Sequence, residues 1–334
     1  MKTKLLIYIP TYNRQNLLQK TLESIVVALH GFNTSQVKVH ISNNASDDNT
    51  LEICKPFLND QISVDSNASN LGFVGNCVKG LQIDLGQEYT WMVGDDDLIT
   101  PWSIRMLFTY LQELEQKKIQ VKFIHVNLFV VSEDTKNNKD IFNLVKENKI
   151  SGFRWLMNSK FSQPSVAPFR AIVDPYVDDF ILGSIMTLIF DSNLVRETSK
   201  HIDYSHLLDG SDWPFKYPSN QAWYPFSFTF FHTFSRDDLC LVIPDIFVIG
   251  SLGHQGWTKD RSLVIAAAFD GLFECFNQSI LNREELEEYS KKFFIRHKHH
   301  LSDLIKNRIE LFSEIKREIL LKTYAWFVDQ QTKK

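Results

Sequence analysis

The chain has 334 residues, 44% of them hydrophobic and 23% charged, and its 36 Lys+Arg against 40 Asp+Glu leave a net charge of -4. These values fit a globular protein with two domains, or with one large core and an appendage; they exclude a disordered chain and a generally basic, nucleic-acid-binding surface. No run of about 18 apolar residues is present to span a bilayer, and the first apolar run, Leu5–Ile9, meets Pro10 too early to read as the apolar part of a secretory leader.

In chain order, Lys4–Ile9 reads as a buried strand. Asn13–Leu29 carries Leu18, Leu22, Ile25 and Leu29 at a spacing that puts them on one helix face. Val37–Ser42 predicts a second strand, followed by a polar loop over Asn43–Asn49 and a helix around Leu51–Phe57. Ile62–Asp65 predicts a short strand, Val74–Ile83 a helix, and Tyr89–Val93 a strand that stops at Gly94-Asp95-Asp96-Asp97. Pro101 suits the first turn of a helix reaching Gln116, and Val121–Val131 is strongly β-prone. This alternation predicts a mostly parallel sheet with helices on both sides. A polar loop over Asp134–Asp140 changes the pattern. Beyond it, Gly183–Phe190 reads as a buried strand, Asn220–Phe234 as an aromatic helix or strand, and Val242–Ile249 as a strand broken at Pro244. From Asp260 onward the chain reads as helical. The 26 Phe read as core filling or a composition bias. Cys54, Cys77, Cys240 and Cys275 form neither a CxxC pair nor a dense framework, which points to a reduced, cytoplasmic protein.

Ligands of open α/β sheets bind beyond the carboxyl ends of the strands. Three polar segments follow strands at that edge: Pro10–Arg14, Asn43–Asp48 and Gly94–Asp97. Three consecutive carboxylates, Asp95, Asp96 and Asp97, repel one another unless a cation neutralises them. Oxygen ligands at this density suit Mg²⁺ or Mn²⁺ shared with a substrate phosphate. A solvated acidic turn at the start of the Pro101 helix is the plainer alternative.

Four motifs occur in order: Ile-Pro-Thr-Tyr-Asn-Arg (9–14), Asn-Asn-Ala-Ser-Asp-Asp-Asn-Thr (43–50), Asn-Leu-Gly-Phe-Val-Gly-Asn (70–76) and Gly-Asp-Asp-Asp-Leu-Ile-Thr-Pro (94–101). Together they resemble the nucleotide-sugar domain of family 2 glycosyltransferases, over residues 3–130. The Gly-Asp-Asp-Asp form is similar to that of bacterial transferases that build O-antigen, lipooligosaccharide or capsule, abequosyltransferase-like members included. The resemblance implies an α/β GT-A fold, a nucleotide-diphospho-sugar transferase fold with a mostly parallel central sheet flanked by helices, here with a helical C-terminal extension. It implies a donor-binding half at 1–130, an acceptor and catalytic-base half at 131–265, and the extension at 266–334. The implied activity is inverting, metal-dependent transfer of one sugar from a nucleotide diphosphate donor to a glycan or lipid-linked glycan acceptor. UDP is the first candidate nucleotide, with CDP or dTDP as alternatives.

The same resemblance implies roles. Pro10, Thr11 and Tyr12 line the nucleotide, and Arg14 sits near the base or simply starts the helix. Asn43 stands where the family usually has an Asp that accepts from uracil; an amide can also donate, which keeps a CDP-sugar open. Asn70 and Gly72 match the loop under base and ribose, while Asn76 reads as structural. With Pro101 setting the register, Asp97 is the metal ligand and Asp96 lies near the ribose or the metal; Asp95 falls at a variable position. The base that takes the acceptor proton is expected after the Gly183–Phe190 strand, at Asp212 in Gly-Ser-Asp-Trp, then at Asp209; Asp203 lies nearby, and a helix cap is the plainer role for either of the two. Trp213, Trp223 and Tyr224 offer faces for an acceptor sugar or fill the core. His254, Lys259 and Arg261 suggest a lid over the diphosphate, beside glycines 253 and 256.

Residues 290–334 hold eleven Lys+Arg against five Asp+Glu. Leu301, Leu304, Ile305, Phe312, Ile315 and Ile319 form a helical apolar stripe there. Peripheral contact with anionic lipid at the inner face of the cytoplasmic membrane is one expectation; packing on the catalytic body or on a second subunit is the other. Two rival functions remain. A sugar nucleotidyltransferase needs a Gly-rich, basic phosphate loop that Pro10–Arg14 does not supply. The intact Asp96/Asp97 pair argues against a non-catalytic nucleotide-sugar or glycan binder, while the unassigned base keeps that rival open.

Overall fold

The computed structural model describes residues 3–150, 153–155, 160–178, 180–207, 219–251 and 261–332. Strand β1 (Thr3–Thr11) lies in the middle of the N-terminal block of the sheet. Its residues Leu5–Ile9 are wholly buried, as expected for a strand covered on both faces. Leu5, Ile7 and Ile9 enter one apolar layer and Tyr8 the other, which is the two-residue period of a strand. β1 pairs in parallel with β2 (Val37–Asn43) and β4 (Gln87–Met92), and β3 (Ile62–Ser66) extends the block beyond β2. Helices α1 (Gln15–Ala28) and α4 (Ser103–Gln116) cover one face through Leu18, Leu22, Ile25, Ile104, Leu107 and Leu111. The short α2 (Thr50–Cys54) packs beside α1, and α3 (Gly72–Gln82) covers the opposite face through Val74, Cys77 and Leu81.

The sheet continues through β5 (Leu98–Ile99), β6 (Phe123–Val131), β9 (Leu188–Asp191) and β10 (Leu239–Ser251), in the order β3-β2-β1-β4-β9-β6-β10-β5. β9 is antiparallel to both β4 and β6, while β10 runs parallel to β6. β7 (Phe153–Trp155) and β8 (Ser165–Pro168) pair antiparallel with β6 and β10. The sheet is therefore the mostly parallel one expected, with antiparallel strands at β5 and β7–β9. The GT-A fold class holds.

Several local expectations change. The 134–140 segment is not wholly loop: it contributes to α5 (Glu133–Lys136), whose cap Ser132 accepts from the Thr135 N–H at 3.3 Å, and leads into α6 (Ile141–Lys146). The 183–190 strand starts only at Leu188, because Ile185–Thr187 forms a tight turn tied by the Thr187 N–H to the Ser184 carbonyl, 2.8 Å. After α7 (Phe169–Ile172) and α8 (Ser192–Ser199), the aromatic 220–234 stretch resolves as two helices, α9 (Asn220–Trp223) and α10 (Pro225–Thr233). Pro225 has no N–H to continue the first helix but suits the first turn of the second. β10 runs through Pro244 by shifting register between Ile243 and Val248; the Asn127 amide donates to the Pro244 carbonyl at 2.8 Å across the irregularity.

Many of the described phenylalanines fill the core, as expected. Phe123, Phe169, Phe190, Phe226, Phe230 and Phe231 are all buried between the sheet and α10, with the Phe123 and Phe230 rings 5.3 Å apart. The C-terminal helices α11 (Arg261–Asn277), α12 (Arg283–Asn307) and α13 (Glu314–Thr332) join this core. Asn282 and Glu285 close a reciprocal capping box at the start of α12. Of the C-terminal stripe, Leu301, Leu304, Phe312 and Ile319 are buried against the chain's own core, and only Ile315 is well exposed. Buried Asp174 accepts from both Lys160 and Lys292 at 3.0 Å, fastening α12 to the body. All four cysteines are buried and unpaired. No helix among the described residues is long and apolar enough to cross a membrane.

Candidate active site

The loops after β1, β2 and β4 meet at one edge of the sheet. Asn44 N–H donates to the Thr11 carbonyl (2.8 Å), Asn13 N–H to Ser46 Oγ (2.9 Å), and Arg14 N–H to Thr50 Oγ1 (2.9 Å). The Asn44 side chain gathers the next loop: its amide donates to Asn70 Oδ1 (2.8 Å) and the Gly72 carbonyl (3.1 Å), and its oxygen accepts from Asn67 and the Leu71 N–H. Gly72 opens α3 at φ +70°, a backbone region that glycine enters without strain.

These loops line a cavity of about 500 Å³ with Gly94–Asp97 along one wall. Phe180, Gly183–Met186, Trp223, Tyr224 and Phe226 also line it, and the ends of β6 and β10 contribute Leu128, Val130, Gly250 and Ser251. A concave site that is apolar over much of its wall, with a few convergent charged groups, is the usual form of a small-molecule site. Ile181 and Leu182 both hold positive φ (52° and 62°) at the turn before Gly183, and the Ser227 hydroxyl donates to the Leu182 carbonyl. Such strain persists only where packing enforces it.

The acidic loop is electrostatically crowded. Burial pushes the Asp95 carboxyl from 3.8 up to about 7, and neighbouring Asp96 adds to the rise; Arg14, the Thr11 hydroxyl and the Tyr12 N–H oppose it. Arg14 Nε lies 3.7 Å from Asp95 Oδ1. Burial and Asp96 also raise Asp97 well above the carboxylate range, with Lys136 opposing. Asp97 is only 3% exposed, and its Oδ2 has no hydrogen-bond partner among the described residues. A Cβ at Gly94 would lie 2.5 Å from that oxygen, and one at Gly250 2.9 Å from Oδ1. Two glycines thus leave room for this carboxylate. No group of three or more His, Cys, Asp or Glu side chains gathers as a metal cage among the described residues. Asp97 nevertheless fits a hard cation completed by substrate oxygens, since Mg²⁺-type sites commonly use one or two carboxylates plus phosphates.

The sequence profile described as "Glycosyl transferase family 2" matches residues 6–173, half of the chain. The chain belongs to glycosyl transferase family 2. Abequosyltransferase RfbV of Salmonella typhimurium (strain LT2) is 36% identical over 106 residues, 31% of this chain and 31% of that relative. TarS of S. aureus superposes with a TM-score of 0.62 at 15% identity, covering 98% of this chain and 54% of TarS. A TarS fragment in complex with UDP-GlcNAc gives 0.60 at 14% identity, covering 96% and 79%. The mannosyltransferase PcManGT from Pyrobaculum calidifontis, in complex with GDP-Man and Mn²⁺, gives 0.50 at 12% identity, covering 98% and 81%. At these identities the structural likeness establishes the fold.

In this family 2 chain, Pro10, Thr11, Tyr12, Arg14, Asn70, Gly72, Asp95, Asp96 and Asp97 all line the one cavity. Asn43 does not: its amide donates to Ser66 Oγ (2.9 Å) and its oxygen accepts from the Ser46 N–H, while neighbouring Asn44 faces the cavity. Asn76 lies at the cavity's edge and also ties Ser42 Oγ (2.9 Å) and the Ser42 carbonyl (3.1 Å). Trp223 and Tyr224 line the same cavity. Asp209, Asp212, Trp213, His254 and Lys259 lie outside the described residues; Arg261 opens α11 as an exposed side chain and is not among the residues lining the cavity. Sequence reasoning missed Asn44, Gly250, Ser251 and the buried Lys136. Gly250 and Ser251 end a strand at the ligand edge, so the strand-end rule applied to β10 finds them.

Proposed function

We propose that the chain transfers one sugar from a nucleotide diphosphate sugar to a hydroxyl of a glycan acceptor, with inversion, in bacterial surface-polysaccharide synthesis. The observation that carries this reading is Asp97: a buried carboxylate with an unpartnered oxygen, in a cavity reached by the Pro10–Arg14 and Asn70–Gly72 loops. UDP is the first candidate nucleotide, since related TarS structures hold UDP and UDP-GlcNAc; CDP and dTDP remain alternatives. Asp97, with Asp96 beside it, would hold Mn²⁺ or Mg²⁺, which when bound stabilises the charge developing on the diphosphate leaving group. Pro10, Thr11 and Tyr12 bound the nucleotide, and Arg14 restrains Asp95 at the rim. Trp223 and Tyr224 offer ring faces to the sugar side. An Asp on the opposite side of the sugar, Asp212 before Asp209, takes the acceptor proton. In this reading His254 and Lys259 close over the diphosphate, with Arg261 at the margin.

Asp212→Asn tests the assignment of the base. The variant should lose transfer by about 10²-fold or more while binding donor as the native chain does. Turnover at the native rate would remove Asp212 from the mechanism.

A further inference from the structure

A buried ammonium group lies behind the acidic loop. Lys136 ends α5 with its side chain 3% exposed, and its three N–H groups are all used. They meet the Asp96 carbonyl at 2.8 Å, Ser251 Oγ at 2.7 Å and Glu133 Oε2 at 3.0 Å. Ser251 Oγ also donates to Glu133, closing a small triangle at the end of β10. An isolated ammonium would not stay in such a place; Glu133 balances its charge and the other two oxygens complete its shell.

The Asp96 carbonyl is the informative target. Lys136 holds the carbonyl of Asp96, which belongs to the peptide joining Asp96 to Asp97. The Asp97 carboxylate leaves Oδ2 without a partner, so its position depends on the backbone that carries it. That backbone is held at Asp95 by Thr21 Oγ1 on the carbonyl (3.0 Å), and at Asp97 by its own N–H on the Gly94 carbonyl (3.3 Å). Lys136 supplies the anchor between them. Gly250, next to Ser251, leaves the space that Asp97 Oδ1 occupies. The end of β10 therefore bears on the loop in two ways: Ser251 holds Lys136, and Gly250 leaves room for the Asp97 carboxylate.

We infer that Lys136 is a positioning residue that presents the Asp97 carboxylate to a divalent cation. The inference rests on the reading of Asp97 as the cation ligand. It makes a distinctive claim about sign. Lys136 is itself positive, so removing it would strengthen cation binding if its field were all that mattered. If it acts by position, removing it weakens binding, as loss of supporting hydrogen bonds around metal ligands does by about 10–100-fold.

The test titrates Mn²⁺ into the full chain, alone and with UDP, and counts free ion by its electron paramagnetic resonance signal. Lys136→Met should weaken Mn²⁺ binding about tenfold or more. Ser251→Ala, which keeps the charge and removes one partner, should weaken it less. Circular dichroism checks that each variant folds, and Ser251→Ala decides the matter if Lys136→Met does not. Unchanged or tighter Mn²⁺ binding in the folded variants, with only a lower melting temperature, would overturn the inference. A native chain that takes up no Mn²⁺ with or without UDP would instead overturn the reading of Asp97.

Discussion

Asp95 and Asp97 are carboxylates kept where charge is costly. For Asp95 the consequence for stability has a definite sign. Its carboxyl titrates at about 7 in the folded chain against an ordinary 3.8, so between these values the folded state binds more proton than the unfolded state. Unfolding free energy therefore falls as pH rises through that window, and the loss is complete above the folded value. With EDTA present, Asp95→Asn should flatten the fall measured by denaturant unfolding between pH 4 and pH 8. A native and a variant chain with the same pH slope would contradict the crowded-loop account. Three consecutive carboxylates after a predicted strand made this loop legible in the sequence. Asn43 and Asn44 were not separable there, because adjacent residues on a strand end face opposite ways and only the pairing with Ser66 shows which one turns inward.

At the scale of elements, the alternation of β1 to β4 and β6 with α1 to α4 was readable from apolar runs and helical spacing, while the two-residue β5 was too short to leave a pattern. The later elements were harder. The 220–234 segment alternates at Phe226, Phe228 and Phe230 as a strand does although it folds as helix, so its pattern does not separate the two. Lys136 was unreadable for a different reason: among Glu133, Asp134 and Asp140 it looks like a solvated charge, and only the approach of β10 buries it. Asp174 is a similar case and joins α12 to the body. Asp174→Ala removes the shared partner of Lys160 and Lys292 and should lower unfolding free energy by about 2–3 kcal/mol. Chemical denaturation measures it; a loss below about 0.5 kcal/mol, the range of ordinary surface substitutions, would show that these ion pairs do not dock the helix.

Over the whole molecule, one sheet connects the loops that line the cavity to its aromatic residues, and the C-terminal helices complete its core. The tail stripe is spent inside the protein, through Leu301, Leu304, Phe312 and Ile319. We propose that any contact of 290–334 with lipid is therefore electrostatic, through its excess of Lys and Arg. Such contact with anionic vesicles should fade as salt approaches about 1 M, where screening acts within about 3 Å. Vesicle binding that survives high salt would point instead to apolar insertion. The central claim concerns the cavity and is tested most directly by thermal stabilisation with UDP-, CDP-, dTDP- and GDP-sugars, each with and without Mn²⁺, for the native chain and Asp97→Ala. The account predicts that one nucleotide class raises the melting temperature, that Mn²⁺ enlarges the rise, and that Asp97→Ala removes the Mn²⁺ part. Stabilisation by no donor, or an equal Mn²⁺-dependent rise in Asp97→Ala, would contradict it.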